Sequence, residues 1–114
     1  MSVTVKELLD KQRTFDEMHS GEMPFFTKID ENNLQVLEHL VVCLLGELGE
    51  FANLLKKVRR GDFALASVKD ELDEELVDVF IYLLKIAGQF DVDLEVGYDK
   101  KLLKNTSKFQ NYKK

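Results

Sequence analysis

The chain has no tryptophan, one cysteine, one proline and only six glycines among its 114 residues. The lone thiol, Cys43, excludes an intrachain disulfide, and its place in an apolar helical run predicts a buried packing residue rather than a nucleophile. So few prolines and glycines leave few breaks, which argues against a sheet-rich fold. No apolar run approaches the ~20 residues that span a bilayer, and no N-terminal signal-peptide pattern is visible, so a cytoplasmic protein without membrane contact is expected. A chain of this length supports one modest core, so residues 1–114 are expected to form a single domain.

Basic charge is scarce over most of the sequence. Residues 1–99 hold 10 Lys and Arg against 21 Asp and Glu, a balance of −11, whereas residues 100–114 hold six lysines and no acid, +6. Such an acidic body repels duplex nucleic acid. The basic end reads either as a solvated helix face or as a contact for phosphate.

What is abundant is apolar residues at helical spacing, with no competing strand alternation. Thr4-Val-Lys-Glu7 has the form of a capping box and opens a first helix to about Met18, with Val5, Leu8, Leu9, Gln12 and Phe15 on one side. Gly21 and Pro24 break it. Phe25 and Phe26 follow in an irregular connection, either as packing anchors or as a stacking surface for a planar ligand. A second helix is expected from an N-cap at Asn33 to about Arg59. Its stripe is Leu34, Leu37, Val41, Leu44, Leu48 and Leu55, widened by Leu40, Leu45 and Phe51. Gly46 and Gly49 interrupt it at about 1 kcal/mol each, which implies a close approach to the backbone there. Gly61 stops it. A third helix is expected to begin between Asp62 and Ser67, where Ser67-Val-Lys-Asp70 offers a start, and to run to about Gln89, and a fourth from about Asp93 towards Phe109.

Two acidic pairs stand out, Glu47-Leu-Gly-Glu50 and Glu75-Leu-Val-Asp78. Residues three apart share a helix face, and both helices are otherwise too apolar to be solvated all round. Carboxylates in such surroundings must be paired, protonated or bound to metal. The early acids Asp70, Glu71 and Asp73 are explained by the helix dipole, but Asp78 lies beyond its reach. If the two helices pack antiparallel, four carboxylates converge, and an all-oxygen set suits Mg²⁺ or Mn²⁺. A di-iron bundle wants Glu-x-x-His pairs, and none occurs. Magnesium with open positions for phosphate oxygens points to phosphoryl chemistry. His39, eleven residues before Glu50, falls on nearly the same face and reads as a structural residue or a ligand contact. Tyr82 needs a partner for its hydroxyl, in the core or on a substrate. Lys101, Asn105 and Lys108 share a face of the fourth helix.

Gly46-Glu-Leu-Gly-Glu50, 24 residues, and then Glu75-Leu-Val-Asp78 resembles the Glu-x-x-Glu / Glu-x-x-Asp signature of MazG-like all-α nucleoside triphosphate pyrophosphohydrolases. The likeness extends over roughly residues 34–109. It implies an all-α four-helix bundle, with a metal-site core at 34–90 and a basic helix at 93–110, completed by dimerisation or tetramerisation. It further implies that Glu47, Glu50, Glu75 and Asp78 hold Mg²⁺ and carry the chemistry, cleaving a triphosphate between its α and β phosphates. Tyr82 would lie near the sugar or phosphates, and Lys101 and Asn105, with Lys108, would bind phosphate. The role implied is removal of non-standard or surplus nucleoside triphosphates. Relatives specific for certain pyrimidines stack the base on tryptophan; here Lys57 falls near one such position, and base recognition would pass to phenylalanines such as Phe25, Phe26 or Phe51, or be loose. Two alternatives stand beside this reading: a non-catalytic helical interaction protein, and an enzyme like phosphoribosyl-ATP pyrophosphatase.

Overall fold

The structure, a computed structural model, describes residues 2–114. Four helices make up most of it: α1 (Val5–Glu17), α2 (Leu34–Arg59), α3 (Leu65–Gln89) and α4 (Leu94–Lys108), with a 3₁₀ turn over Gln110–Tyr112. Among the described residues no strand forms, only an isolated bridge between Ser20 and Pro24. The all-α, four-helix expectation holds. No helix among the described residues is long and apolar enough to cross a membrane.

Local chemistry explains most helix ends. The Thr4 hydroxyl accepts from the Glu7 N–H and donates to the Glu7 carboxylate, the capping box anticipated at Thr4-Val-Lys-Glu7. Asp93 caps α4 by accepting from the Val96 N–H. Gly61, at φ 93°, closes α2: its N–H donates to the Val58 carbonyl and that of Asp62 to the Lys57 carbonyl. That double closure favours glycine because the backbone turns left-handed. Asp91, at φ 52°, takes the corresponding position after α3, and the Val92 N–H reaches the Ala87 carbonyl.

One end differs from expectation. Asn33 makes no side-chain cap on α2. Its amide instead donates to the Lys28 carbonyl and accepts from the Asp30 N–H, folding the loop before the helix. Helix α3 begins at Leu65, inside the expected Asp62–Ser67 range and two residues before Ser67, whose hydroxyl turns back to the Ala64 carbonyl. The earlier start leaves no acid in the first turn, so the helix dipole does not account for Asp70, Glu71 or Asp73. Asp73 pairs with Lys69 one turn earlier, at 2.7 Å, an exposed pair of small energetic value.

Helices α2 and α3 form the body, α1 packs against α3, and α4 packs against α1. The buried apolar side chains are Val68, Leu72, Leu84 and Ala87 of α3, with Ile29 from the loop. Where α1 crosses α3, a Cβ on Gly88 would stand 3.3 Å from Leu9 Cδ2, so Gly88 is the glycine that permits close approach. At Gly46 and Gly49, where close approach was expected, nothing of this chain lies within 4 Å of the Cβ position. Helix α2 has no buried residue: Leu34, Val41, Leu48 and Leu55 of its stripe are exposed, and Leu37, Leu40, Leu44 and Phe51 are half-buried. The Cα radius of gyration is 17.5 Å, whereas a compact domain of this length has about 13 Å. One chain therefore leaves much of its apolar helix surface uncovered.

Candidate functional site

A carboxylate pair on one helix needs a second helix in register before it can form a site. The turn between Arg59 and Leu65 folds α3 back along α2, and the antiparallel register sets Cys43 against Tyr82 and Glu47 and Glu50 against Glu75 and Asp78. One carboxylate oxygen each from Glu47, Glu75 and Asp78 lies within 4.8 Å of the others, and all three side chains are half-buried. Glu50 is exposed and stands outside this close triad, but it still acts on it. Hydrogen bonding to Glu50, then to Glu47, with partial desolvation and the negative charge of both, raises the Glu75 carboxyl from 4.5 to about 7. Like-charged carboxylates at such range cannot all ionise freely, so without metal Glu75 holds its proton further towards neutrality than an ordinary carboxyl does.

The second oxygen of Glu75, Oε2, is enclosed and has no hydrogen-bond partner. A buried acceptor left unpaired is unfavourable. A hard divalent cation would relieve both the unpaired oxygen and the crowded charge, and oxygen-only donors select for one. The residues present thus fit Mg²⁺ or Mn²⁺.

The register also builds a polar line leading away from the carboxylates. Burial first, then the Cys43 thiol, then Glu47 and Asp78 push the Tyr82 ionisation upward, so its hydroxyl stays protonated and able to donate. Cys43 is half-buried rather than fully buried, with Sγ 3.6 Å from His39 Nε2. His39 is exposed and takes no part in the carboxylate triad; it lies two turns before Glu47 and lines a cavity of about 570 Å³. This cavity lies between α1, the Met23–Thr27 segment, the start of α2 and the end of α3. Phe25 and Phe26 are among its walls, and Phe25 is also stacked on His19. Phe51 and Lys57 do not line it.

No protein-family model matches the chain, and no solved structure matches it. It is similar to the Gene 37 protein of Mycobacterium phage L5, at 33% identity over 81 residues that cover 69% of this chain and 71% of that protein. The chain belongs to the Gene 37 family. A gene number assigns no reaction, so for this Gene 37 family member the chemistry has to be argued from its residues.

The basic residues on α4 are not gathered at the triad within one chain. Helix α4 packs on α1, and the Glu95 carboxylate accepts from the Val5 N–H, tying the two helix starts together. Lys101 and Lys108 are exposed, Asn105 is half-buried, and the Lys108 ammonium sits 5.2 Å from the Phe109 ring centroid. Asp16 and Lys85 of the Gene 37 family member, a buried carboxylate and a half-buried ammonium that line the cavity as a pair, were not singled out from the sequence. One signal was available: Lys85 is the single charge within the apolar run Val79–Ala87. Asp16 gave none, because Phe15 beside it fits the helical stripe better.

Proposed function

We propose that this Gene 37 family member is a Mg²⁺-dependent nucleotide pyrophosphohydrolase acting on a nucleoside or deoxynucleoside triphosphate. The observation that carries the reading is the triad of Glu47, Glu75 and Asp78, with Glu75 raised to about 7 and its Oε2 unpaired. These residues, with Glu50 at the rim, would hold Mg²⁺ or Mn²⁺, which would supply charge neutralisation for the phosphates and a polarised water. Glu50, exposed beside Glu75, would take the proton of the attacking water. The new bond forms at the α-phosphorus as its bond to the bridging oxygen breaks, giving monophosphate and pyrophosphate. The Tyr82 hydroxyl, one turn beyond Asp78, can donate to the sugar or phosphate. Removal of surplus or non-standard nucleotides is the role this chemistry serves.

The test is pyrophosphate release from a panel of ribo- and deoxynucleoside triphosphates with Mg²⁺, with phosphoribosyl-ATP included and Glu50→Gln as control. Expected is release with equimolar monophosphate from at least one triphosphate, reduced by at least ~10²-fold in the variant, the scale of a lost general base. Turnover confined to phosphoribosyl-ATP would reassign the substrate. No release from any compound would leave the second reading, a helical interaction module, which the uncovered apolar surface favours.

The same surface supports a homodimer or homotetramer. Val42 and Leu45 of α2 are 64% and 58% exposed, Leu76 and Val77 of α3 are also open, and Gly46 and Gly49 leave the adjacent backbone clear for another helix. Light scattering at micromolar concentration is expected to give at least two chains per particle; a monodisperse monomer would overturn the oligomer.

A further inference from the structure

Along α3, Asp78, Tyr82, Lys85 and Gln89 follow one another at spacings of four, three and four, so they share a face. That face runs from the carboxylate triad into the 570 Å³ cavity, a volume within the usual range for small-molecule sites. Its loop wall is fastened: the Gln89 amide donates to the Thr27 carbonyl and accepts from the Ile29 N–H, each at 2.9 Å. Phe25, Phe26 and Tyr82 supply aromatic walls. Arg13 lies over Phe26 at 4.3 Å, and the Lys85 ammonium lies over Tyr82 at 5.1 Å.

Among these walls a buried acceptor and a half-buried donor lie side by side. Asp16 is 3% exposed, and its Oδ1 receives the Gln12 amide at 2.9 Å and the Lys85 ammonium at 3.5 Å. A carboxylate has about four acceptor positions and an ammonium three protons, so both retain capacity after meeting each other. The Lys85 side chain is 17% exposed, which leaves little water to use that capacity. An apolar ring in the cavity would strand both groups, whereas a ring offering complementary polar atoms would pair them.

We infer that this cavity is a nucleobase site that recognises an N–H beside a carbonyl, with Asp16 accepting from the N–H and Lys85 donating to the carbonyl oxygen. The class is a lactam-edged base: guanine, hypoxanthine, uracil or thymine. Seven residues separate Asp78 from Lys85, about 10 Å along the helix axis, so a base held at Lys85 directs its sugar along Tyr82 towards the triad. The inference rests on the hydrolase reading only for where the phosphates go; recognition of the base stands apart from it.

Nucleosides test it without phosphates or metal. Isothermal titration in chelator is expected to show saturable binding of inosine, and at least tenfold weaker binding of 1-methylinosine, in which a methyl group replaces the hydrogen on the ring nitrogen. Asp16→Ala, which removes the acceptor oxygens and is checked for helicity by circular dichroism, is expected to lose inosine to the same extent. Equal affinity for the two nucleosides, binding of neither, or an undiminished affinity in folded Asp16→Ala would each overturn the site. Because the titration contains neither metal nor phosphate, a failed hydrolase reading would instead appear as retained inosine binding with no pyrophosphate release.

Discussion

Saturating Mg²⁺ is expected to raise the melting temperature above neutral pH, and Glu75→Gln is expected to erase that rise. A ligand at roughly a hundred times its dissociation constant stabilises the native state by about 2.7 kcal/mol, which for a domain of this size is on the order of 10 °C. The variant also reports on the metal-free protein. Because the Glu75 carboxyl is raised from 4.5 to about 7, the folded state binds that proton more tightly than the unfolded chain does. Its contribution to stability is therefore fully present below 4.5 and is lost as pH rises through about 7. Glutamine carries no such proton. Above neutrality and without metal, Glu75→Gln should thus melt higher than the unmodified chain, and with Mg²⁺ it should melt lower. That crossover, read by scanning calorimetry across pH, separates a metal site from a crowded acidic surface. Equal stabilisation of both proteins by Mg²⁺ would remove the triad as the binding site.

Lys85→Met is expected to cost about 2–3 kcal/mol, below the full scale for a buried ion pair because only the Asp16 side of this pair is buried. It would leave the Asp16 carboxylate, 3% exposed, with the Gln12 amide at 2.9 Å as its remaining side-chain donor. Replacing both charges, Asp16→Leu with Lys85→Met, should recover most of the loss, since an apolar pair of similar volume makes no demand for partners. Urea unfolding at constant slope measures both variants and their coupling. A single substitution costing under about 1 kcal/mol, the value of an exposed pair, or additive costs in the double variant, would show that the pair is solvated rather than buried.

How far each feature could be read from the sequence depends on the distance over which its cause acts. Thr4, Asp93 and Gly61 could be assigned because a cap involves a few residues of one chain segment. Asn33 misled because it has the chemistry of an N-cap while its amide is held by Lys28 and Asp30, a choice made by the loop. The acidic pairs were legible as faces, since spacing alone places Glu47 with Glu50 and Glu75 with Asp78. The spacing could not tell that Glu50 would stand at the rim while Glu47 joins Glu75 and Asp78 within 4.8 Å. Gly46 and Gly49 were legible as interruptions, but the glycine against which α1 packs is Gly88.

By itself the sequence determined that this is an all-helical chain, where its helices lie to within a few residues, and that two apolar helices each carry a pair of carboxylates on one side. Those properties follow from periodicity and capping, which act within one helix. Only the tertiary structure decided which carboxylates converge, that Asp16 and Lys85 meet inside a cavity, and that α4 lies on α1 rather than over the acids. These follow from the register of α3 on α2, the left-handed exit at Asp91 and the Glu95 contact with Val5. Each joins groups distant in sequence, and helical spacing carries no information about which distant groups will meet.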